Sequence, residues 1–227
     1  MIPNRQNVLT QLTGIITTGI AQINADYRRG PSIYFYHRIL ELRRQHPCVT
    51  AFLSSDTCIE LLYATLVSWD MNGRGAKMKD FADFKNNLQA NTRAFQAVEA
   101  AAGAFTWVNR NEVVESLSAL YDLLTLMQTD GKLVSNSKTL HFVFPALCPP
   151  MDRTNTLQKL YGNTAESKNK FLDVLDLTFD IIRGIENPHQ YLDQQWNTFE
   201  TKLVDNAIIL WKKPRPDRQP DEMTPCD

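Results

Sequence analysis

The chain lacks paired cysteines, long apolar runs, an excess of either charge and β-type alternation. Each absence removes a class of protein. Its four cysteines, Cys48, Cys58, Cys148 and Cys226, form no CxxC pair and fit no zinc spacing. Thiols scattered in this way are expected to be buried in a reducing cytoplasm. His37, His46, His141 and His189 are equally dispersed, so no metal or other cofactor is expected. No apolar stretch reaches the ~18 residues of a membrane span. Polar residues interrupt Met1-Ile2-Pro3-Asn4-Arg5 before an export signal could form, which fits a cytoplasmic protein. The formal net charge of −1 argues against coating nucleic acid by bulk charge, while leaving room for a local basic patch.

What is present is helical periodicity. With 227 residues, 43% of them hydrophobic, the chain can bury a full core as one all-α unit over 1–212, either a compact bundle or two helical lobes around a cleft. Val8, Leu12, Ile15, Ile16, Ile20, Ile23 and Tyr27 predict a first helix from about Asn7 to Arg29. Gly30-Pro31 ends it and opens a second, over Ser32–Gln45, which His46-Pro47 stops. Thr57-Cys58-Ile59-Glu60 reads as a capping box for a third helix running to Trp69. That helix is apolar on nearly every side and therefore central.

The loop from Met71 to Lys79 is the most basic short segment, and its glycines permit positive φ. Further helices are expected over Asp80–Ala102, in one or two pieces, and over Asn111–Met127. Two short ones follow at Ser137–Ala146 and Arg153–Tyr161, the second stopped by Gly162. Glu166–Ile185 and a last helix capped by Asn187-Pro188 complete the set. That last helix carries Leu192, Trp196, Phe199, Leu203, Ile208 and Trp211. The proline- and charge-rich tail, 213–227, is expected to be disordered.

One stretch carries candidate chemistry. Val134-Ser135-Asn136-Ser137 reads as a polar turn, followed by Lys138-Thr139 and an apolar helix. Pro149-Pro150-Met151 then leads to Asp152-Arg153 and a helix ending in glycine. This pattern, over about thirty residues, resembles the helix-hairpin-helix DNA glycosylases. The resemblance implies a base-excision protein, a glycosylase/lyase or a degenerate relative, that acts on damaged or modified duplex DNA.

Lys138 would attack the sugar C1′ and form a Schiff base, and Asp152 would stabilise the positive charge growing on the sugar. Asn136 and Ser137, at the hairpin, would hold a phosphate, with Arg153 beside them. Asn72, Arg74 and Lys77, in the loop after the third helix, would contact the duplex where the base is extruded. The turn lacks the family's glycines, so Asn136 would have to supply any left-handed conformation.

Plainer readings stand beside these. Asp152 is placed to act as an N-cap. Lys138 in a first turn suits a solvated surface residue. His141 suits a core histidine satisfied by a backbone carbonyl. A non-catalytic helical scaffold that binds nucleic acid or a protein partner remains the alternative. So does a different enzyme class built on Tyr36, His37, Glu41, Arg43 and Arg44. The glycosylase reading requires Lys138 and Asp152 to face one cleft. The scaffold reading puts Lys138 on a convex face.

Overall fold

A computed structural model describes residues 1–26, 30–71, 73 and 77–212. Over these the chain is all-α, and the only β-type pairing among them is an isolated bridge between Met78 and Met127. The expectations for the tail and for the end of the first helix at Arg29 fall outside the described residues.

The first helical run breaks into α1 (Arg5–Gly19), a 3₁₀ turn and α2 (Ile23–Asp26). Helix α3 (Pro31–Gln45) starts with proline in its first turn, where the missing N–H has no intrahelical partner to lose. A short α4 (Val49–Ser54), unforeseen from periodicity, precedes α5 (Asp56–Ser68). The cap of α5 is Ser55, whose hydroxyl accepts from the Cys58 N–H; Thr57 lies already inside the helix. Asn91 splits the next region into α6 (Phe81–Ala90) and α7 (Thr92–Gly103). Helix α8 (Arg110–Leu123) ends earlier than the apolar pattern suggested.

Helix α9 (Leu133–Val143) begins four residues before the expected start, because the polar stretch taken for a turn is helical. After it come a π turn (Arg153–Leu157), α10 (Gln158–Tyr161), α11 (Lys168–Gly184) and α12 (Glu200–Leu210). Gly162 takes φ 73°, the left-handed C-terminal stop read from the sequence. The expected last helix is only half helical. Asp193 accepts from the N–H groups of Gln195 and Asn197, which holds that segment in a turn.

Helix α5 packs on α3, α9 and α6, while α12 packs on α1 and α11. Helices α9 and α12 are buried on almost all sides: Ser135, Asn136, Ser137, Thr139 and His141 of α9 are in the interior, as are Thr201, Lys202, Asp205 and Asn206 of α12. Burying polar groups this densely costs stability unless each is bonded. Most are. Asn136 donates to the carbonyls of Tyr121 (3.0 Å) and Leu124 (3.2 Å), satisfying the end of α8. The C-terminal end of α5, the middle of α9 and the start of α12 converge on one cavity, which Lys138 and Asp152 line.

Candidate functional site

The cavity begins with how α5 stops. Asp70 takes φ 62°, and the N–H groups of Asp70 and Met71 return to the carbonyls of Val67 and Leu66. This is a Schellman ending, with aspartate in the position usually given to glycine. A Cβ at Gly73 would collide with the Asp70 carboxylate, so Gly73 is there for a close approach. Among the described residues of this loop Asp70 takes positive φ and Gly73 does not; Gly75 lies outside them. The ending turns Trp69 inward. Its indole N–H donates to the Ser32 carbonyl (3.2 Å), and its own carbonyl accepts from Lys138 Nζ at 3.0 Å.

Lys138 is the sixth residue of α9 and half-buried, so it is no solvated first-turn lysine. Its ammonium lies 5.8 Å from the centre of the Trp69 ring. Its pKa is held below the ordinary lysine value, first by burial and least by the charge of Lys202; Asp152, Asp205 and Asp70 pull the other way.

Asp152 caps the π turn as expected. Its Oδ1 accepts from the Asn155 N–H (2.5 Å), its Oδ2 from the Asn155 amide (2.9 Å), and its own N–H donates to the Thr156 hydroxyl. Its carbonyl accepts from the Leu157 N–H, the i to i+5 bond of a π turn; such turns concentrate at functional sites. The carboxylate is thereby fixed in place while lining the same cavity as Lys138.

That cavity, of about 250 Å³, is bounded by Trp69, Lys138, Met151, Asp152, Trp196, Lys202 and Asp205, among others. A second, of about 290 Å³, shares Trp69, Lys138 and Asp152 and extends past Asp70, Thr154 and Arg153. Lys138 and Asp152 therefore stand on the wall common to both.

Sequence reasoning treated Trp196 as core and missed Lys202 and Asp205. Trp196 stacks on Tyr36 (5.8 Å between ring centres, 14° between planes), and its carbonyl accepts from Asn206. Lys202 Nζ pairs with Asp205 at 2.5 Å, both side chains being over nine-tenths buried, and lies 5.5 Å from the ring centres of both Trp69 and Trp196. The available signal was a Lys-x-x-Asp pair interleaved with Leu203, Val204, Ala207 and Ile208, since such charges are rarely buried without a partner.

Behind the indoles, Tyr36 bonds to Thr198 Oγ1 and to His141 Nε2 (3.2 Å), while His141 Nδ1 meets the Cys148 carbonyl at 2.8 Å. The carbonyl can only accept, so the proton sits on Nδ1 and Tyr36 donates to Nε2. Burial, then Lys202, pushes the His141 pKa down to about 3, whereas burial pushes the Tyr36 phenol up. The core role read for His141 stands. The Tyr36/His37/Arg43 grouping is divided: Tyr36 is interior, and Arg43 is tied to the carbonyls of Val143, His46 and Pro47.

The proposed phosphate ligands need correction. Asn136 and Ser137 are fully enclosed. Asn136 serves α8, and the Ser137 hydroxyl accepts from the Met151 N–H (3.1 Å), fixing the approach to Asp152. The N–H of Leu133, at the start of α9, is taken by the Glu166 carboxylate (2.8 Å), which also pairs with Arg153 (2.7 Å). A carboxylate thus occupies the helix N-terminus where a phosphate was expected. Arg153 and Lys77 are exposed; Asn72 and Arg74 lie outside the described residues.

No family model matches the chain, and no curated protein or solved structure is detectably similar to it. Among the described residues no cluster of metal-ligating side chains occurs and no helix is long and apolar enough to cross a membrane.

Proposed function

We propose that the protein is a base-excision enzyme of the glycosylase/lyase type, acting on a damaged or modified base in DNA. The observation that carries this reading is the position of Lys138. Its amine stands with the Asp152 carboxylate on the wall between two cavities, in surroundings that favour the neutral amine. The first cavity, of about 250 Å³, falls just below the size range of about 300–1,000 Å³ typical of drug-sized ligands, the scale of a single ring system. Its indole walls suit a flat heterocycle taken out of a base stack. The second cavity, with Arg153 and Thr154 on its wall, suits the sugar and its backbone.

The chemistry follows from this arrangement. The Lys138 nitrogen lone pair bonds to C1′ as the C1′–base bond breaks, and the departing base takes the electron pair and a proton. Asp152, held by Asn155, offsets the positive charge on the sugar during that step. The two amine protons go one to the departing base and one to O4′ as the sugar ring opens, which leaves an imine between Lys138 and C1′. The imine acidifies the C2′ hydrogen, so strand cleavage by elimination of the 3′ phosphate can follow.

One observation favours a non-catalytic helical scaffold instead: Lys138 donates to the Trp69 carbonyl, as a lysine ending α5 would. Borohydride trapping on a duplex with an abasic site decides between them. The wild type is expected to form a covalent adduct, Lys138→Ala to form none, and Asp152→Asn to lower its rate by about 10²-fold. An adduct that survives Lys138→Ala, or none with the wild type, refutes the reading.

A further inference from the structure

The Lys202–Asp205 ion pair is unexplained by stability. Exchanging a buried ion pair for apolar side chains of similar volume is often neutral or favourable for folding. Both residues are over nine-tenths buried, and both line the cavity that holds Lys138 and Asp152. The pair is also placed against the aromatic walls. Lys202 Nζ sits 5.5 Å from each indole centre, so the site where a cation would be drawn to those rings is already filled.

The charges around the cavity offset one another. Lys138 and Lys202 face Asp152 and Asp205, with Asp70 beyond Trp69. Lys159, nearby, is committed to the carbonyls of Ile208 (2.9 Å) and Ile209 (2.6 Å). A cationic occupant would meet the Lys202 ammonium at close range, over the same indole faces. A neutral one would meet a donor beside an acceptor: one ammonium proton goes to Asp205 Oδ2, leaving two protons and the second carboxylate oxygen.

We propose that Lys202 and Asp205 are specificity-determining residues that read the hydrogen-bonding edge of an uncharged base and reject cationic, alkylated bases. The assignment rests on the base-excision reading. Lys202 donates to a ring carbonyl or ring nitrogen, and Asp205 accepts from the neighbouring N–H. A site built to pair such groups discriminates strongly against ligands that leave them unpaired. Burial, with a smaller push from Asp152, holds the Asp205 carboxyl above its ordinary range, and Lys202 and then Lys138 pull it back toward the carboxylate.

The test uses the full chain on duplexes carrying one uracil, hypoxanthine, 8-oxopurine or 7-methylguanine, and on an abasic duplex. The wild type is expected to release at least one neutral base about tenfold or more faster than cationic 7-methylguanine. Lys202→Met/Asp205→Leu is expected to lose at least about tenfold more in base release than in borohydride trapping at the abasic site. Lys202→Gln, read in the same way, serves if the double variant does not fold. Fastest release of 7-methylguanine overturns the assignment, as does a parallel loss of release and trapping. A wild type that traps abasic DNA yet releases none of these bases overturns the assignment while leaving the lyase reading intact. Failure to trap at all ends both.

Discussion

Removing one member of the Lys202–Asp205 pair should damage the fold far more than removing both. Both side chains are over nine-tenths buried, in contact at 2.5 Å. Lys202→Met leaves the Asp205 carboxylate in the interior without its ammonium, at a cost of about 3–5 kcal/mol. For a chain of this size, each kcal/mol moves the midpoint by roughly 2–4 °C, so Tm should fall by roughly 6–20 °C. Asp205→Leu should do comparable harm by stranding the ammonium. The double variant Lys202→Met/Asp205→Leu should lie close to wild type or above it.

The deficit of Lys202→Met should also depend on pH. The Asp205 carboxyl already titrates above its ordinary range because of burial, and losing Lys202 raises it further. A carboxyl with a raised folded pKa binds its proton more tightly when native, so its contribution to stability is lost as pH rises through the folded value. The deficit should therefore be smaller at pH 5 than at pH 8. Thermal and urea unfolding of all four proteins at both pH values gives the answer. Additive single-variant losses, or a deficit indifferent to pH, would refute the reasoning.

The remaining expectations concern neighbouring groups. Asn136→Ala should lower stability by about 1–3 kcal/mol for each carbonyl it leaves unpaired, seen in urea unfolding, without changing the salt dependence of any DNA binding. His141 should stay neutral across pH 5–8 by NMR titration. Its folded pKa of about 3 lies below the unfolded value, so stability should fall as pH drops through the window between them, by an amount on the order of a few kcal/mol. The rate of covalent trapping by Lys138 should rise with pH and level off below the ordinary lysine value, because burial disfavours the ammonium; a profile still rising through that value would show that the amine is not activated.

Much of the fold was legible because helical periodicity and its punctuation agree. Gly30-Pro31 and His46-Pro47 bracket α3 within a residue, and Gly162 ends α10 as read. The errors arose where side chains competed with the backbone. Ser135, Asn136 and Ser137 look like turn residues because they bond to nearby main chain. Here they are helical: the Ser135 and Ser137 hydroxyls donate one turn back, to the Lys132 and Val134 carbonyls, while Asn136 serves the end of α8 and Ser137 also accepts from the Met151 N–H. Conversely, the apolar spacing that suggested a helix through Trp196 is overruled by Asp193, which captures two following N–H groups. The short α4 has too few turns to show a period.

The site was legible in its first two members only. Lys138 and Asp152 came from a local pattern, but what gives them their surroundings comes from elsewhere in the chain: the ending of α5, the irregular segment holding Trp196 and the start of α12. The shift of α9 matters most for mechanism. A lysine in a first helical turn would feel the positive end of the helix, which favours the neutral amine. Lys138, at the sixth position, gains little from that effect, which fades within the first turn. Its lowered pKa comes first from burial, beside the Trp69 ring, and least from the charge of Lys202. Both are tertiary, contributed by residues about seventy positions before it and sixty after it in the chain. A local motif can name Lys138 as a candidate, therefore, but the surroundings that lower its pKa are a property of three helices meeting.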